Sequence, residues 1–405
     1  MKASGPCGES RSTTTVEAGL GFAGAGAVTT HNITAMARDA SGLDANGMIA
    51  ALLRDLASVQ TSTQKKWGYR RAAAAVIDLD VPIASLVRPD GTLTKIPHVG
   101  PSTERIILEV LKTGGSPTVA KAIHESGRTR EVEKSRGLRG HYLSRSQVAA
   151  ALKNPRLDAV RREDYRGDLQ MHSVWSDGSQ TLGDIVEAGL ELGYEFSAVT
   201  DHSYGLPIAG GVSMAKLSEQ HREIDALNRR FRKRFRLLKG IEANIRADGT
   251  IDMARHELAR LEVVVAAPHS ALRTAADQTA RMVAAVQAPG IHILGHPRGR
   301  KYGSRPGVRA NWPRVFAAAA KHAVAIEIDG DPSRQDVDHR LAREALEAGC
   351  IFALDSDAHS TQELRYADTA VAHARLAGIP KERVVNCWPL AQLLEWLTIR
   401  TETVR

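Results

Sequence analysis

The chain has 405 residues, of which 43% are hydrophobic and 25% are charged, and its formal net charge at pH 7 is +8. This composition excludes a disordered or fibrous protein, and the length allows two or more domains with at least one large core. The excess of basic side chains favours phosphate-bearing partners.

The three cysteines, Cys7, Cys350 and Cys387, lie far apart and form no Cys-x-x-Cys motif. A disulfide framework and a zinc knuckle are therefore not expected, and the predicted location is a reducing cytoplasm. The N-terminus lacks a charged and then apolar leader, and the run GLGFAGAGAV (19–28) is too short and glycine-rich to span a bilayer. We therefore expect no membrane partner, and the sequence indicates no particular oligomeric state.

The first part of the chain has three regions of different texture. Residues 1–44 are rich in Gly, Ala, Ser and Thr and are predicted to be disordered, unless translation begins at Met36 or Met48. Residues 45–128 are predicted to form a small all-α domain, because apolar residues recur at helical spacing in NGMIAALLRDLASVQ, KKWGYRRAAAAVIDL and TERIILEVLKTG. Residues 129–164 are densely charged and are predicted to be a linker or an exposed connecting segment.

Residues 165–405 alternate between short apolar runs and amphipathic helical stretches. The runs are YRGDLQMHS, FSAVTDHS, RLLKGIEAN, LEVVVAAPHS, IHILGHPRG, AVAIEIDG and IFALDSDAHS. Such alternation predicts an α/β fold with parallel strands joined by helical crossovers, either a barrel or a doubly wound sheet. Seven strand units favour the barrel.

Nearly every one of these runs ends in a side chain that can bind a metal. Because the carboxyl ends of all strands in a parallel barrel open on one face, these side chains are expected to converge. Imidazoles with carboxylates and without thiolates suit Zn, Mn or Fe(II). Their number exceeds what one tetrahedral ion needs, so two or three divalent ions with a bridging carboxylate are predicted. The candidates are His172, Asp177, His202, Glu242, His269, His296, Asp357 and His359.

Clusters of divalent ions serve phosphoester hydrolysis best, because they neutralise the attacking and leaving oxygens and lower the pKa of a bound water. Amide hydrolysis by a binuclear barrel is the nearest alternative, but no strand end supplies the lysine bridge that such enzymes usually have.

The motifs GDLQMHSVWSDG, AVTDHS, KGIEAN, AAPHS, LGHPRGR and LDSDAHS, in this order, resemble those of the PHP (polymerase and histidinol phosphatase) family over residues 165–400. The resemblance implies a distorted seven-stranded barrel with a trinuclear centre, in which a metal-activated hydroxide near Glu242 attacks phosphorus. His172, Glu242 and Asp357 are the implied catalytic residues. The implied ligand sets are His172 with Asp357 for one ion, His269 with His296 for a second that Glu242 bridges to the first, and Asp177, His202 and His359 for the third.

Several neighbours of these motifs have expected roles. Gln170 stands where the family usually has a histidine and is expected to be a weak amide-oxygen ligand. Asp201 is expected either to orient His202 or to cap the following turn. Three arginines are expected to bind phosphate oxygens of the substrate, and the alternative for each is a solvated surface position. They are Arg298, Arg300 and Arg334.

The segment LTKIPHVGPSTERIILEVLKTG (93–114) resembles a helix-hairpin-helix, and with the preceding helix it resembles the lyase-type domain of X-family DNA polymerases. His98 replaces the first expected glycine and Gly100 remains, and these two are the predicted DNA contacts. The lysine positions of the lyase site hold Ser102 and Ile106, so lyase activity is not expected. A polymerase is excluded because 129–164 is too short for a palm domain.

The sequence therefore predicts a hydrolase that is a metal-dependent phosphoesterase acting on DNA ends, as a 3′-5′ exonuclease or a 3′-phosphatase. One alternative is a small-molecule phosphatase of the histidinol-phosphatase type. The other is a non-catalytic DNA-binding protein with a degenerate barrel, for which Gln170 is the sequence support.

Overall fold

The computed structural model describes residues 43–402, which fall within one compact unit. Residues 1–42, which hold most of the segment predicted to be disordered, lie outside the described residues, as do 403–405. Between residues 43 and 402, no helix is both long and apolar enough to cross a membrane.

The N-terminal part of the described chain is helical, as predicted. Short polar side chains define where its helices begin: Asp44 accepts the N–H of Gly47 at 2.8 Å, and Ser116 accepts that of Val119 at 3.1 Å. The inward faces of the helices share one apolar core. The helices are α1 (Ala45–Val59), α2 (Thr63–Ile77), α3 (Pro101–Thr113) and α4 (Pro117–Glu125).

The segment predicted to be an exposed linker instead contains two helices, α5 (Thr129–Gly137) and α6 (Arg145–Lys153), and packs on the barrel. Arg375 of the barrel, which is 2% exposed, donates to the carbonyls of three residues in this segment at 2.7–2.8 Å. Gln335 exchanges two hydrogen bonds with the backbone of Leu143. Composition shows the charge of the segment but not the barrel residues that contact it.

Residues 167–355 contain seven parallel strands that pair in chain order, β1 to β7. A bridge between Met171 and Ala358 joins the ends of β1 and β7, so the sheet curves into a nearly closed barrel, as predicted. The strands are β1 (Gly167–Asp168), β2 (Phe196–Val199), β3 (Arg236–Asn244), β4 (Val263–Ala267), β5 (Ile293–Leu294), β6 (Ala325–Asp329) and β7 (Phe352–Asp355).

Helices surround the barrel and bury one apolar face each against the strands. They are α7 (Leu182–Glu191), α8 (Met214–Arg230), α9 (Arg255–Leu258), α10 (Thr279–Gln287), α11 (Trp312–Lys321), α12 (His339–Glu347), α13 (Ala367–Ala377) and α14 (Leu390–Glu402).

The barrel interior changes character along the strands. The first halves of the strands contribute apolar residues such as Phe196, Val263 and Ala353, which pack with Leu393 and Trp396 of α14. The C-terminal ends carry buried polar side chains instead. An apolar base thus supports a polar mouth, where functional groups of such barrels usually lie.

Candidate metal centre

The eight side chains predicted to bind metal meet at the C-terminal mouth of the barrel. Each lies at the end of a strand or in the loop that follows it. Seven of them form three overlapping groups in which the potential ligand atoms, nitrogen or oxygen, lie within 4.8 Å of one another. The groups are His172, Glu242 and Asp357; His202, Glu242 and His269; and His172, Asp177, His202 and His359.

Glu242, at the end of β3, lies at the middle of the cluster and is 1% exposed. Its Oε1 is 2.9 Å from His296 Nε2 and 3.1 Å from His269 Nε2. Its Oε2 is 3.2 Å from His202 Nδ1 and 3.3 Å from His172 Nε2. The two carboxylate oxygens therefore face different imidazoles, which is the geometry that a bridging carboxylate requires.

Asp357 and Asp177 lie on opposite sides of His172. Asp357 Oδ1 is 3.0 Å from His172 Nε2, whereas Asp177 Oδ1 is 3.7 Å from His172 Nδ1. Asp177 also approaches His202 Nε2 at 3.5 Å and His359 Nε2 at 3.6 Å. The Asp177 side chain is 34% exposed, so this side of the cluster is open to solvent.

The grouping differs in part from the three expected ligand sets. His172 and His202 each belong to two groups, because each ring presents one nitrogen to Glu242 and the other to Asp177. His296 approaches Glu242 but is in none of the three groups. Residue types at strand ends indicate which side chains converge, but not how they divide among ions.

The cluster contains buried polar atoms that lack a hydrogen-bond partner. They include His172 Nδ1, His202 Nδ1, His269 Nε2 and Glu242 Oε2. Several of these atoms are within 3.3 Å of another group but lack the angles that a hydrogen bond needs. Buried polar groups are normally satisfied. Nitrogen and oxygen atoms that face a common space and form no hydrogen bonds with one another are suited to bind divalent cations.

In two of the imidazole rings, a hydrogen bond made by Nδ1 determines that Nε2 is the nitrogen available to bind a metal. His359 Nδ1 is 2.8 Å from the carbonyl oxygen of Asp357, and His269 Nδ1 is 3.3 Å from Asn244 Oδ1. In each ring Nδ1 donates its hydrogen to that oxygen, so Nε2 keeps a lone pair directed at the carboxylates. Asn244 was not singled out in the sequence, although it ends the motif KGIEAN.

Electrostatics keep the carboxylates of the cluster ionised. Burial raises the pKa of Glu242, but His202 and His269 outweigh it and hold that pKa well below its usual range. The pKa of Asp177 is also lowered, because the nearby imidazoles of His202 and His359 outweigh burial. Conversely, although burial lowers it, the pKa of His172 is raised by Asp357 and Glu242. The cluster therefore attracts positive charge, whether protons or divalent cations.

Two of the cluster residues have backbones in the left-handed region, with φ of 52° at Asp357 and 21° at His296. A non-glycine residue rarely adopts such a φ, and where it does, the strain is often found at a functional site. The backbone N–H of His296 is held by Glu327, which lies on β6. This contact fixes the turn that directs the imidazole into the barrel mouth.

Of the three arginines predicted to bind phosphate, two donate to other groups of the protein, and their contact with phosphate stays a prediction. Arg298 donates to Asp336 and Asp338 at 2.8 Å each. Arg300 donates to the carbonyls of Arg334 and Gln335 at 3.0 and 2.6 Å, and it is 6% exposed. Both side chains join barrel loops to one another, an arrangement for which the sequence gives no signal.

Arg334 does reach the cluster. Its Nε lies 3.1 Å from Asp357 Oδ2 and 3.6 Å from Asp329 Oδ2. Although burial lowers it, the pKa of Arg334 is raised by Asp357 and Asp329, so the side chain remains charged.

Asp201 has neither of its two expected roles. It accepts hydrogen bonds from the backbone N–H and hydroxyl of Ser173, at 2.8 and 2.6 Å, and from Ser176 and Gln220. Asp201 thus anchors the loop after β1, which carries Asp177.

Below the cluster, the barrel holds four buried carboxylates that the sequence analysis did not single out. They are Asp168, Glu327, Asp329 and Asp355, each 0% exposed. Burial, with Asp355 nearby, raises the pKa of Asp168 to about 8, and burial raises that of Asp355 to about 6. The sequence could have identified these residues, because a carboxylate within a buried parallel strand is unusual.

The hairpin before α3 contains the two residues predicted to contact DNA. His98, at the position of the first expected glycine, adopts φ of 61° and is exposed. Gly100 precedes α3 and has no side chain that caps the helix. The side chain of Ile106 is 2% exposed, so this position is part of the apolar core.

Comparison with known proteins agrees with both parts of the structure. The helix-hairpin-helix domain family matches residues 44–116. The probable phosphatase YcdX of Escherichia fergusonii is 30% identical over 254 residues, which cover 59% of this chain and 96% of the relative. The chain belongs to the PHP family.

A second relative of the PHP barrel is the DNA polymerase/3′-5′ exonuclease PolX of Bacillus subtilis, which is 33% identical over 242 residues. The match covers 60% of this chain and 42% of the relative, so the chain spans less than half the length of PolX. The structure of histidinol phosphate phosphatase from Lactococcus lactis aligns with a TM-score of 0.39 and 17% identity over 52% of this chain and 94% of that protein.

In the PHP barrel of this chain the first motif carries Gln170, which is 0% exposed. Neither its amide oxygen nor its amide nitrogen has a hydrogen-bond partner among the described residues. An added Cβ at Gly295 would lie 3.4 Å from Gln170 Oε1, so the amide points across the barrel toward the end of β5.

Proposed function

We propose that this chain is a metal-dependent phosphoesterase whose active centre is the cluster around Glu242. The observation that carries the proposal is the arrangement of that cluster, in which Glu242 faces four imidazoles at 2.9–3.3 Å at the mouth of a parallel barrel. Membership of the PHP family and the similarity to a probable phosphatase support hydrolysis of phosphate esters.

The cluster is proposed to hold two or three divalent ions, of which Zn, Mn and Fe(II) match its mixture of nitrogen and oxygen atoms. The proposed ligands are the seven side chains of the three groups together with His296, and Gln170 is a further, neutral candidate. When bound, such ions neutralise charge that develops on phosphate oxygens and make water more acidic.

The chain's own residues divide the remaining tasks. Glu242 fixes the relative positions of the imidazoles by facing His296 and His269 with one oxygen and His202 with the other. Asn244 keeps His269 Nε2 available by accepting the hydrogen of Nδ1. Arg334 adds a fixed positive charge beside Asp357 and is proposed to bind a phosphate oxygen of the substrate.

The proposed substrates are DNA ends. The enzyme either removes nucleotides from the 3′ end, as a 3′-5′ exonuclease, or removes a 3′-phosphate, as a 3′-phosphatase. The helix-hairpin-helix match at residues 44–116 and the exonuclease named in PolX support this choice. We assign residues 45–128 to a DNA-binding domain, in which the backbone around His98 and Gly100 contacts a phosphate. Residues 165–405 are assigned to the phosphoesterase domain, and the free cysteines Cys350 and Cys387 support a cytoplasmic location.

The proposal is tested with protein that has been stripped of metal and reloaded separately with Mn²⁺ or Zn²⁺. Hydrolysis of an aryl phosphate is measured beside release from a 3′-labelled DNA strand. Metal-dependent release from DNA is expected. Release from the aryl phosphate alone would indicate a small-molecule phosphatase, which the full-length match to YcdX favours as the second candidate. No hydrolysis of either with either metal would contradict the proposed function.

A further inference from the structure

A cleft of about 480 Å³ lies where the helical domain, the connecting segment and the barrel meet. The helical domain contributes Ala74 and Ile77 of α2, the connecting segment contributes Val148 of α6, and the barrel contributes Lys301 and Ser333. A cleft of this size accommodates a ligand as large as a nucleotide. No residue of the metal cluster lines it, and no function predicted from the sequence involves it.

The cleft carries an excess of positive charge. Arg54, Lys301 and Arg365 line it, and no carboxylate within residues 43–402 forms an ion pair with any of them. Of the three acidic residues of the lining, Asp80 and Asp368 are paired with arginines, whereas Asp78 forms no ion pair with any residue of 43–402. Three unpaired cations against one unpaired carboxylate leave a positive excess, which attracts a negatively charged ligand.

The cleft also offers flat and apolar surface. Tyr302 and Tyr366 lie in its lining, together with Ile77 and other apolar side chains. The guanidinium carbon of Arg54 lies 4.8 Å from the ring centroid of Tyr302. Aromatic rings and arginine planes stack on nucleobases, while cations bind the phosphates that join them. A nucleotide matches both properties of the cleft.

The loop between β6 and α12 connects this cleft to the metal cluster. Ser333 lines the cleft, and its neighbour Arg334 lies 3.1 Å from Asp357 of the cluster. Consecutive Cα atoms are about 3.8 Å apart. Adjacent residues of one loop therefore contact the cleft and the cluster.

The α2 wall of the cleft continues along the helix as a basic and aromatic face. Arg70 and Arg71 each lie three or four residues from both Trp67 and Ala74, so the four side chains share one side of α2. Trp67 is 53% exposed, and the guanidinium carbon of Arg70 lies 5.4 Å from its ring centroid. This face extends the surface beyond the size of one nucleotide, which favours a strand over a free mononucleotide.

We propose that this cleft binds a nucleotide of a single-stranded nucleic acid and guides an adjoining phosphodiester to the metal cluster. The guiding role rests on the proposed function, whereas binding in the cleft does not. The site is distinct from the hairpin at Gly100.

The binding experiment uses the full chain without metal and a fluorescein-labelled dT12 or rU12 strand, with fluorescence anisotropy as the readout. Ala74→Trp fills the cleft from an exposed helix position, and Ala317→Trp is the matched control on α11. Lys301→Ala removes one cation, with Lys321→Ala as its control. We expect Kd to rise at least tenfold for Ala74→Trp and about threefold for Lys301→Ala, with both controls within twofold of the parent chain.

Two results would overturn the inference. One is a Kd for both cleft variants that is within twofold of the parent chain. The other is equal affinity for the strand and for thymidine 5′-monophosphate, which would make the ligand a free nucleotide. Stronger binding of dT12 or of rU12 shows whether the cleft prefers DNA or RNA.

Hydrolysis separates this inference from the proposed function. With Mn²⁺-loaded protein, Ala74→Trp is expected to raise KM for the strand at least tenfold and to leave kcat/KM for an aryl phosphate within twofold. If the parent chain hydrolyses neither substrate, the proposed function is wrong. The binding experiment alone then shows whether the cleft binds a nucleotide. If Ala74→Trp leaves KM for the strand unchanged, the guiding role is wrong.

Discussion

Arg334 Nε lies 3.1 Å from Asp357 Oδ2, and both side chains are largely buried, at 17% and 2% exposure. Burial raises the pKa of Asp357, but Arg334 and His172 outweigh it and hold that pKa below its usual range. The arginine thus keeps one candidate metal ligand ionised and places a permanent charge at the barrel mouth.

Replacing Arg334 with Gln is expected to lower kcat/KM for an aryl phosphate by about 100-fold, the effect typical of losing one stabilising donor. Because the pKa of Asp357 rises without the arginine, the acid limb of the pH-rate profile is expected to move to higher pH. Metal content, measured by mass spectrometry at pH 8, checks that the ions are still bound. An unchanged rate and an unchanged acid limb together would show that Arg334 serves neither substrate nor Asp357.

Replacing His269 with Ala tests the assignment of the ligands. His269 is expected to contribute Nε2 to a metal, since its Nδ1 is directed at Asn244. The variant is expected to lose at least one ion per chain and at least 100-fold in turnover, while its circular dichroism spectrum stays the same. His256→Ala, at an exposed position on α9, is the matched control. Full metal content and normal turnover in His269→Ala would refute the ligand assignment.

The barrel and the convergence of its polar residues could be predicted because both follow from local periodicity. Short apolar runs alternate with helical stretches, and each of six runs leads into a histidine or carboxylate motif. Contacts between distant segments could not be predicted this way. Arg298 and Arg300 follow His296 in sequence, yet their partners lie in the loop after β6 and in the connecting segment.

The connecting segment shows the same limit. Its charge suggested solvent exposure, but Tyr142 and Leu143 within it are 2% and 5% exposed because they pack on the barrel. Arg300 stacks on Tyr142, with its guanidinium carbon 4.0 Å from the ring centroid. Composition measures the average character of a segment, whereas its position depends on a few side chains and the surface that they contact.

The buried carboxylate Asp168 is expected to make stability depend on pH. Its pKa is raised to about 8 in the folded chain by burial and by Asp355, so the folded state binds a proton that the unfolded state releases near pH 4. The stabilisation is fully present below pH 4 and is lost as pH rises to 8, with a slope of up to about 1.4 kcal/mol per pH unit.

Asp168→Asn removes this titration. The free energy of unfolding of the metal-free variant, measured with urea between pH 5 and pH 8.5, is therefore expected to fall less steeply with pH than that of the parent chain. Asp158→Asn, at a less buried position before the barrel, is the control. Equal slopes for Asp168→Asn and the parent chain would show that Asp168 does not hold a proton in the folded state.

Arg375 is expected to be the main link between the connecting segment and the barrel. Its guanidinium satisfies the carbonyls of Ala151, Asn154 and Val160. Arg375→Ala leaves these acceptors without a donor and is expected to cost about 3 kcal/mol of unfolding free energy in urea denaturation. Arg343→Ala, which removes one exposed bond to Leu376, should cost less than about 0.5 kcal/mol. Similar losses for both variants would contradict this role.

His98→Gly introduces the glycine that is expected at this position of a helix-hairpin-helix motif, and it tests the proposed DNA contact. Because His98 adopts φ of 61°, glycine relieves backbone strain, and a gain of about 0.5–1 kcal/mol in unfolding free energy is expected. Glycine also leaves more room for a DNA phosphate to approach the backbone N–H groups, so the affinity of the variant for duplex DNA is expected to be equal or higher. Urea denaturation and fluorescence anisotropy measure the two effects. A weaker affinity for duplex DNA in the variant would show that the His98 side chain itself contributes to binding.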